Sequence, residues 1–445
     1  MPDVIVVGAG AAGIIAAWRA AELGAKVTLV EKTNRIGTKI LISGGGKCNI
    51  THDGPIEGVL KAFRPAEARF IRPACYRFRN DQIVEMLTSR GLEVYTRPDG
   101  RIFPVDRTAK DVVRILESYL EEVSVTVMLE APVSGLIIED GAVRGVRYRR
   151  AGEAPLVRRD EGEGYRAKTA KNLLRELDPV APAEGEEREL RADRVVLCCG
   201  GSSYPNSGTT GDGWPWMREA GHGVERLRAA LAPIYLAQVP DLAGVALRDC
   251  TLKARQGKEF ARWTADLLFT HQGISGPAAL GLSRQVAEGL EKGEVSLEID
   301  LQADLTPEQA SEQLLAFTTR NPSRKVAAYV DDFAPERVVD QLLADAGIPL
   351  DTTGARLDKK ARNRLAVALK AWSLGPVRHV PLEKGEVVAG GVSLDEVDPQ
   401  TMASKKIEDL FLCGEILDLA GPVGGYNLQA AFATGFVAGE SAAKP

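Results

Sequence analysis

The stretch VIVVGAGAAG, residues 4–13, decides the fold. Four β-branched residues in a row, Val4 to Val7, suit a strand buried on both faces of a parallel sheet, where polar and apolar positions need not alternate. Gly8-x-Gly10-x-x-Gly13 follows at once and opens an alanine-rich amphipathic stretch toward Leu23. Gly24 then reads as a C-terminal cap, and KVTLVE, residues 26–31, as a second strand. In the order strand, glycine turn, helix, strand, each glycine has its own task. Gly8 permits the tight turn, Gly10 admits a pyrophosphate to the backbone, and Gly13 lets the helix lie close on the strand, while the helix N-terminus offers amide donors and positive dipole. Glu31, 18 residues after Gly13, is placed to accept from a ribose hydroxyl pair. The expectation is a dinucleotide-binding Rossmann unit.

Two later segments point to FAD rather than NAD as the resident dinucleotide, because a bound flavin is long and is met by several returns of the chain. ADRVVLCCGG, residues 192–201, is a strand ending in Gly200-Gly201. IEDLFLCGEILDLAGPVGGYNLQAAFATG, residues 407–435, is a strand ending in Gly414-Glu415, followed by Gly424-Gly425 and a long helix of small residues. A helix starting at Gly425 aims amides at the negative charge a reduced flavin develops.

The chain of 445 residues is too long for one core and predicts two or three domains. With 44% hydrophobic and 26% charged residues it has the composition of a soluble globular protein, and its net charge of -5 argues against a wholesale nucleic-acid coat or a basic membrane-binding surface. The six cysteines, at 48, 75, 198, 199, 250 and 413, show no C-x-x-C spacing, so neither a disulfide framework nor a zinc site follows, and no metal is expected. The N-terminus has no basic segment or small-residue cleavage site, and Val4 to Trp18 is too short and glycine-rich to span a bilayer. A cytoplasmic protein without a membrane partner is the expectation, with its oligomeric state open.

From about Ala229 the pattern changes to short alternating strands, PIYLAQV, GVALRDCTLKA and VSLEIDL, consistent with an antiparallel barrel. Thr306-Pro307, with Gln309 completing a capping box, opens the first of several helices; APERVVDQLLADAG and KKARNRLAVALKAWSLG carry helical periodicity to Gly347 and Gly375. VVAGGVSLDEV, residues 387–397, returns to the first domain. The expected plan is a discontinuous α/β domain over 1–228 and 386–445, a small β-barrel over 229–303 and 376–385, and a helical bundle over 304–375.

Together, GAGAAG, SGGGKCN, DGRIFP, GGSSYPNSGTTGDG, FTHQGISGPA and CGEILD…GPVGGYNLQAAFATG resemble the BaiN/RdsA-type, or YhiN-like, FAD-dependent oxidoreductases over nearly the whole chain. The resemblance implies a glutathione-reductase-like FAD domain interrupted by a β-barrel and a helical bundle. It also implies flavin contacts from Gly8, Ala9, Gly10, Ala11, Ala12 and Gly13, from Glu31, Lys32 and Lys39, and from Gly44, Gly45, Gly46, Lys47, Cys48 and Asn49. Val133, Gly200, Gly201, Gly414 and Glu415 join them, with the turn Gly425, Tyr426, Asn427 and Leu428. Two departures stand out. Cys198-Cys199 replaces the Ala-Thr usual before the paired glycines, a swap that a buried strand end tolerates. Residues 151–192 form a charged, Pro- and Gly-containing stretch that reads as a solvated excursion from a hairpin, with one short helix near Lys168 to Leu177.

No second G-x-G-x-x-G follows a strand, and Cys48 has no cysteine four residues away, so a dithiol reductase with its own NAD(P)H domain is not expected. The remaining chemistry is reduction of a polarised C=C bond, with NADH or NADPH docking transiently as electron donor. The resemblance offers a steroid-like enone or a uridine of large-subunit ribosomal RNA as substrate. Candidate acids and hydrogen-bond donors are His271, Tyr426, Asn427 and Cys48; His52 reads as a turn cap. KAFRPAEARFIRPACYRFR, residues 61–79, interleaves six Lys/Arg with four aromatics. That is the pattern of an RNA-binding surface, or of a helix whose arginines pair locally and whose aromatics face inward. A second basic run, Lys359, Lys360, Arg362 and Arg364, fits a solvated face. An amine or alcohol oxidase and a non-catalytic RNA- or ribosome-binding flavoprotein are the competing readings.

Overall fold

The computed structural model describes residues 1–149 and 185–444, and within them the chain divides into two compact units, Met1–Leu227 with Val387–Pro445, and Arg228–Glu386. The first unit is built on five parallel strands in the order Leu410–Leu412, Arg194–Leu197, Asp3–Val7, Lys26–Val30, Thr126–Met128. Val4 to Val7 lie at its centre, hydrogen-bonded on one side to Arg194–Leu197 and on the other to Lys26–Val30, and buried on both faces. This double burial is why the stretch is apolar without alternation.

Two helices cover one another beside the sheet, Ala11–Glu22 and the final helix Tyr426–Ala443. A Cβ at Gly435 or Gly439 would lie 2.3 or 2.2 Å from the carbonyl oxygen of Ala12 or Ala16, so glycine at these two positions sets the distance between the helices. The first and last segments of the chain are thereby locked together at the dinucleotide turn. Alongside, Val133–Glu139, Ala142–Arg149 and Glu187–Arg191 form an antiparallel meander, and Thr51–His52, Arg101–Pro104 and Val94–Thr96 a second three-stranded sheet.

The expected short helix near Lys168 to Leu177 lies outside the described residues. The charged stretch ends in regular structure that keeps most of its side chains exposed. Glu187–Arg191 is a strand registered on Gly145–Arg149, its charged side chains pairing across the sheet, as Arg191 does with Glu139 at 2.6 Å.

In the second unit six strands close a barrel in the order Ile234–Leu236, Gly273–Ser275, Lys258–Thr270, Ala246–Gln256, Ser296–Asp300, Trp372–His379. Its longest hairpin turns on Gly257, at φ 69°. Helices Gly276–Leu290, Pro307–Arg320, Glu336–Asp345 and Lys359–Lys370 pack around it, and the Thr306 capping box forms with Gln309. One helical boundary needs correction. The helix read as running to Gly375 stops at Lys370, and WSLGPVRH is the barrel's last strand, so barrel structure begins before residue 376. Trp372 is buried with its indole donating to Asp345, and pairs with Ile299, an anchorage in tertiary packing that overrides local helical periodicity. Among the described residues no helix is long and apolar enough to cross a membrane.

Candidate functional site

The first cradle is the turn after Asp3–Val7. Gly8 has φ 98°, and a Cβ there would lie 2.7 Å from the Cys198 carbonyl oxygen; one at Gly13 would lie 1.8 Å from the Gly8 oxygen. Gly10 differs, because a Cβ there would meet nothing within 4 Å. Gly8 and Gly13 are packed shut while Gly10 faces open space, the division of labour a pyrophosphate-binding turn requires. The helix that follows has Gly10 as N-cap, no side-chain cap and no acid in its first turn, so the first amides, from Ala11 and Ala12 onward, are left for an anion.

Glu31 ends the second strand, and its carboxylate accepts from the amides of Ala9 and Thr33, each at 2.8 Å. Next to it Lys32 bonds Asp212 at 2.6 Å and also Thr210, bringing the 204–212 loop to the Glu31 end of the cradle. Gly208 is part of that closure, since a Cβ there would lie 2.7 Å from the Thr33 side chain. Half-buried Val133 begins the meander two residues after Ala131, whose amide donates to the Glu31 carbonyl.

Gly44, Gly45 and Gly46 all take positive φ, at 56, 72 and 90°. Successive residues of this kind turn their amides into a concave surface. Gly44 is backed by Phe103 and Asn49, whereas a Cβ at Gly45 would meet nothing within 4 Å. Lys47 is exposed at the rim. Asn49 is buried and accepts from the Gly425 amide at 2.9 Å when its side-chain amide is turned to satisfy both its groups, joining this loop to the start of the final helix.

At the ends of the inner strands, Lys39 donates to the Glu415 carboxylate at 2.5 Å and to Ser203 at 2.8 Å, and Glu415 also accepts from the Val388 amide at 2.9 Å. Gly201 fits beneath this carboxylate, where a Cβ would be 3.0 Å away; Gly200 and Gly414 take φ 75 and 74°. Lys39, Gly201, Gly414 and Glu415 therefore converge as one cluster, joined by Ser203, which sequence reading missed.

The final helix starts at Tyr426 after Gly425, with no side-chain cap and no acid in its first turn. A Cβ at Gly425 would lie 2.6 Å from the Thr51 carbonyl carbon, so the turn lies directly on the Thr51–His52 strand. This contact puts the His52 ring against Tyr426, with centroids 4.7 Å apart and planes at 26°, while Phe63 meets Tyr426 edge-on at 6.4 Å. His52 is thus more than a turn cap. Burial, then the Asp99 carboxylate, pushes the Tyr426 phenol above its ordinary range, so it stays protonated, and its hydroxyl makes no hydrogen bond among the described residues. Half-buried Leu428 follows on the same helix.

The other acid candidates are placed differently. Asn427 uses its amide on the backbone of Gly421, donating at 2.9 Å and accepting at 2.8 Å, which pins the GPVGG turn. His271 is exposed in the turn between Lys258–Thr270 and Gly273–Ser275 of the second unit. Cys48 sits at φ 61° with its side chain fully buried, and burial pushes its thiol up to about 12. Such a thiol has negligible thiolate at neutral pH. Cys198 is also buried, its thiol donating to the Val7 carbonyl at 3.1 Å beneath the dinucleotide turn.

In segment 61–79, helix Pro65–Arg77 buries Phe70, Ile71, Ala74 and Cys75, and Phe63 and Phe78 are buried at its flanks. Phe78 stacks on Phe436 at 4.8 Å, Arg77 pairs with Glu440, and Arg79 pairs with Asp81 at 2.8 Å. Three of the four aromatics are therefore core, as the second of the two readings of this segment expects, and only Tyr76 is left for base stacking. Tyr76 stays exposed, as do Lys61, Arg69 and Arg72, which form no salt bridge among the described residues.

The residues fit an FAD: an uncapped helix over an open glycine, an acid at the ribose position, a run of inward-turned amides, and a second uncapped helix N-terminus. Comparison with known proteins agrees. The chain is 29% identical to a 3-dehydro-bile acid Δ4,6-reductase of Clostridium scindens over 452 aligned positions covering all of both chains. It is 28% identical to a ribosomal RNA dihydrouridine synthase of Haemophilus influenzae and 27% to one of Escherichia coli, each match covering 97% of this chain and 96% of the relative. Among solved structures, a 3-ketosteroid-Δ4-(5α)-dehydrogenase from Rhodococcus jostii RHA1 superposes with a TM-score of 0.54 at 16% identity, covering 100% of this chain and 97% of that one, a likeness of fold. The HI0933-like protein Rossmann domain model matches residues 2–155 and 165–441, and the chain belongs to that family of FAD-binding oxidoreductases.

Proposed function

We propose that the protein is an FAD-dependent reductase of a conjugated C=C bond, with NADH or NADPH docking transiently as electron donor and uridine in large-subunit ribosomal RNA as the first substrate to test. When bound and reduced, FAD supplies a hydride. The observation that carries the reading is Tyr426, a protonated phenol with an unpartnered hydroxyl on the first residue of an uncapped helix. A positioned acid of this kind can deliver the proton that the carbon next to the hydride acceptor needs. His52 holds the Tyr426 ring by stacking, and the helix N-terminus favours negative charge at the flavin. Lys39, Glu415, Asn49 and the Gly44–Gly46 run hold the ring system's surroundings in place.

Relatives named for both an RNA and a bile-acid reaction support C=C reduction as the shared chemistry. The exposed cations Lys61, Arg69 and Arg72 favour the RNA arm, by phosphate contact rather than base stacking. The test is Tyr426→Phe. FAD affinity and the rate of flavin reduction by NAD(P)H should stay at wild-type values, while the half-reaction with the conjugated acceptor slows by about 10² or more. An unchanged acceptor half-reaction would remove Tyr426 from the mechanism.

A further inference from the structure

The second unit contains a groove of about 810 Å³ that the reading above does not use. Its walls are Gln238 to Pro240, the end of the helix Glu336–Asp345, the side of the helix Lys359–Lys370, and the start of the last barrel strand. The helix is unusual in its charge. Residues 356–370 hold six Lys/Arg and one acid, whereas 304–355 hold nine acids and four Lys/Arg, so charge within the helical insert is segregated rather than mixed.

Lys359 and Lys360 occupy the first turn, where the helix dipole disfavours cations, and no acid shares that turn. The arrangement costs helix stability and gains positive potential at one place on the surface, the kind of local conflict that marks a functional surface. Asp358 is occupied as the N-cap, accepting from the Ala361 amide at 2.8 Å. Lys359 and Lys360 are exposed and form no salt bridge among the described residues.

Lys360, Arg364 and Val367 fall at i, i+4 and i+7 and share one helix face with Asn363. Arg364, Asn363 and Val367 line the groove. Arg364 donates its Nε to the Ala346 carbonyl at 2.7 Å, which fixes the guanidinium and leaves its terminal nitrogens for an anion. The Asp345 carboxylate is engaged by Gln341 and by the Trp372 indole, both at 2.9 Å, so its lone pairs are partly spent inside the protein. Val367, 66% exposed, and Val239 and Pro240 give apolar surface beside the amides of Asn363 and Gln238.

We infer that this groove and helix face form a docking site for a single-stranded segment of RNA, with phosphates on Lys359, Lys360 and Arg364 and an unstacked base in the groove against Val367, within reach of Asn363. A nucleotide suits a groove of this size and its mixture of apolar wall and few polar groups. The inference rests on the RNA arm of the proposed function and places a second contact surface outside the flavin-binding unit.

The experiment is fluorescence anisotropy of the full-length holoprotein with a labelled single-stranded oligoribonucleotide, across a salt series. In Lys359→Gln/Lys360→Gln/Arg364→Gln the slope of log affinity against log salt should become shallower by about 2, since each phosphate contact contributes about 0.7. Val367→Asp, at an exposed position where folding is insensitive, should weaken binding while leaving thermal stability at wild-type values. Unchanged slope and affinity in both variants overturn the docking site and leave the reductase intact. Binding that the triple variant loses but Val367→Asp retains, and that heparin reproduces, overturns the base seat and shows a general polyanion surface. No RNA binding by wild type overturns the site together with the RNA arm, while reduction of a small enone by the same preparation would keep the C=C reductase.

Discussion

The Glu31 carboxylate lies 2.8 Å from the amide nitrogen of Ala9, inside the glycine turn that opens the first helix. The same side chain accepts from Thr33, so the acid braces the turn from two backbone amides. Replacing Glu31 with Gln removes the charge and points an amide donor at one of two backbone donors. Hydrogen bonds to charged groups contribute about 1.5–3 kcal/mol, so FAD affinity should fall by about tenfold or more. Flavin-fluorescence titration of the apoprotein measures this; wild-type affinity in Glu31→Gln would remove the acid from the binding account.

Gly10 and Gly13 separate ligand space from packing space. Gly10→Ala should keep the wild-type melting temperature and lose FAD affinity, because its Cβ projects into open space. Gly13→Ala should lose stability even without FAD, because its Cβ would meet the Gly8 carbonyl oxygen at 1.8 Å. Paired thermal melts and FAD titrations check both, and equal effects of the two substitutions would contradict the assignment.

Cys48→Ser should retain FAD and turn over at nearly the wild-type rate. In the native protein Cys48 should resist iodoacetamide at pH 8, since burial holds its thiol near 12 and out of solvent. Peptide mapping after alkylation reads the second outcome, and rapid labelling of Cys48 would show that the loop opens.

A pH dependence follows from His222. Its ring is buried, with Nδ1 3.0 Å from Glu396 and Nε2 2.8 Å from Ser404, and burial lowers its pKa despite the opposing carboxylate. Since the folded pKa lies below the unfolded value of about 6.5, the unfolded chain binds the proton more readily, and stability is lost as pH falls below about 6.5. Glu396 is lowered by its hydrogen bond to Lys406, and its contribution disappears at more acidic pH. Urea denaturation at pH 7.5 and 5.5 should show wild type weakening between the two, and His222→Gln weakening less.

The parts of this molecule legible in its sequence are those where a local backbone requirement selects the residue. Gly8, Gly10, Gly13 and Glu31 announce the Rossmann unit because strand, turn and helix are consecutive. Strand Leu410–Leu412 and the final helix could be placed for the same reason, a glycine at a strand end followed by small residues. What stayed hidden depends on contacts between distant residues. His52 meets Tyr426 across the sequence, and Asn427, which looked like a free amide, is spent on Gly421. Segment 61–79 left two readings open until the final helix supplied packing partners, Phe436 for Phe78 and Tyr426 for Phe63. Trp372 begins a strand because the barrel needs a sixth member, a demand that helical periodicity does not register.

The most direct measurement of the central claim is mass spectrometry of nucleosides from unmodified large-subunit ribosomal RNA after anaerobic incubation with FAD-loaded protein and NADPH or NADH. The account predicts dihydrouridine at a defined site, absent without FAD and strongly reduced with Tyr426→Phe. Unmodified uridine throughout, together with no reduction of a steroid-like enone by the same flavin-loaded preparation, would contradict C=C reduction as the function.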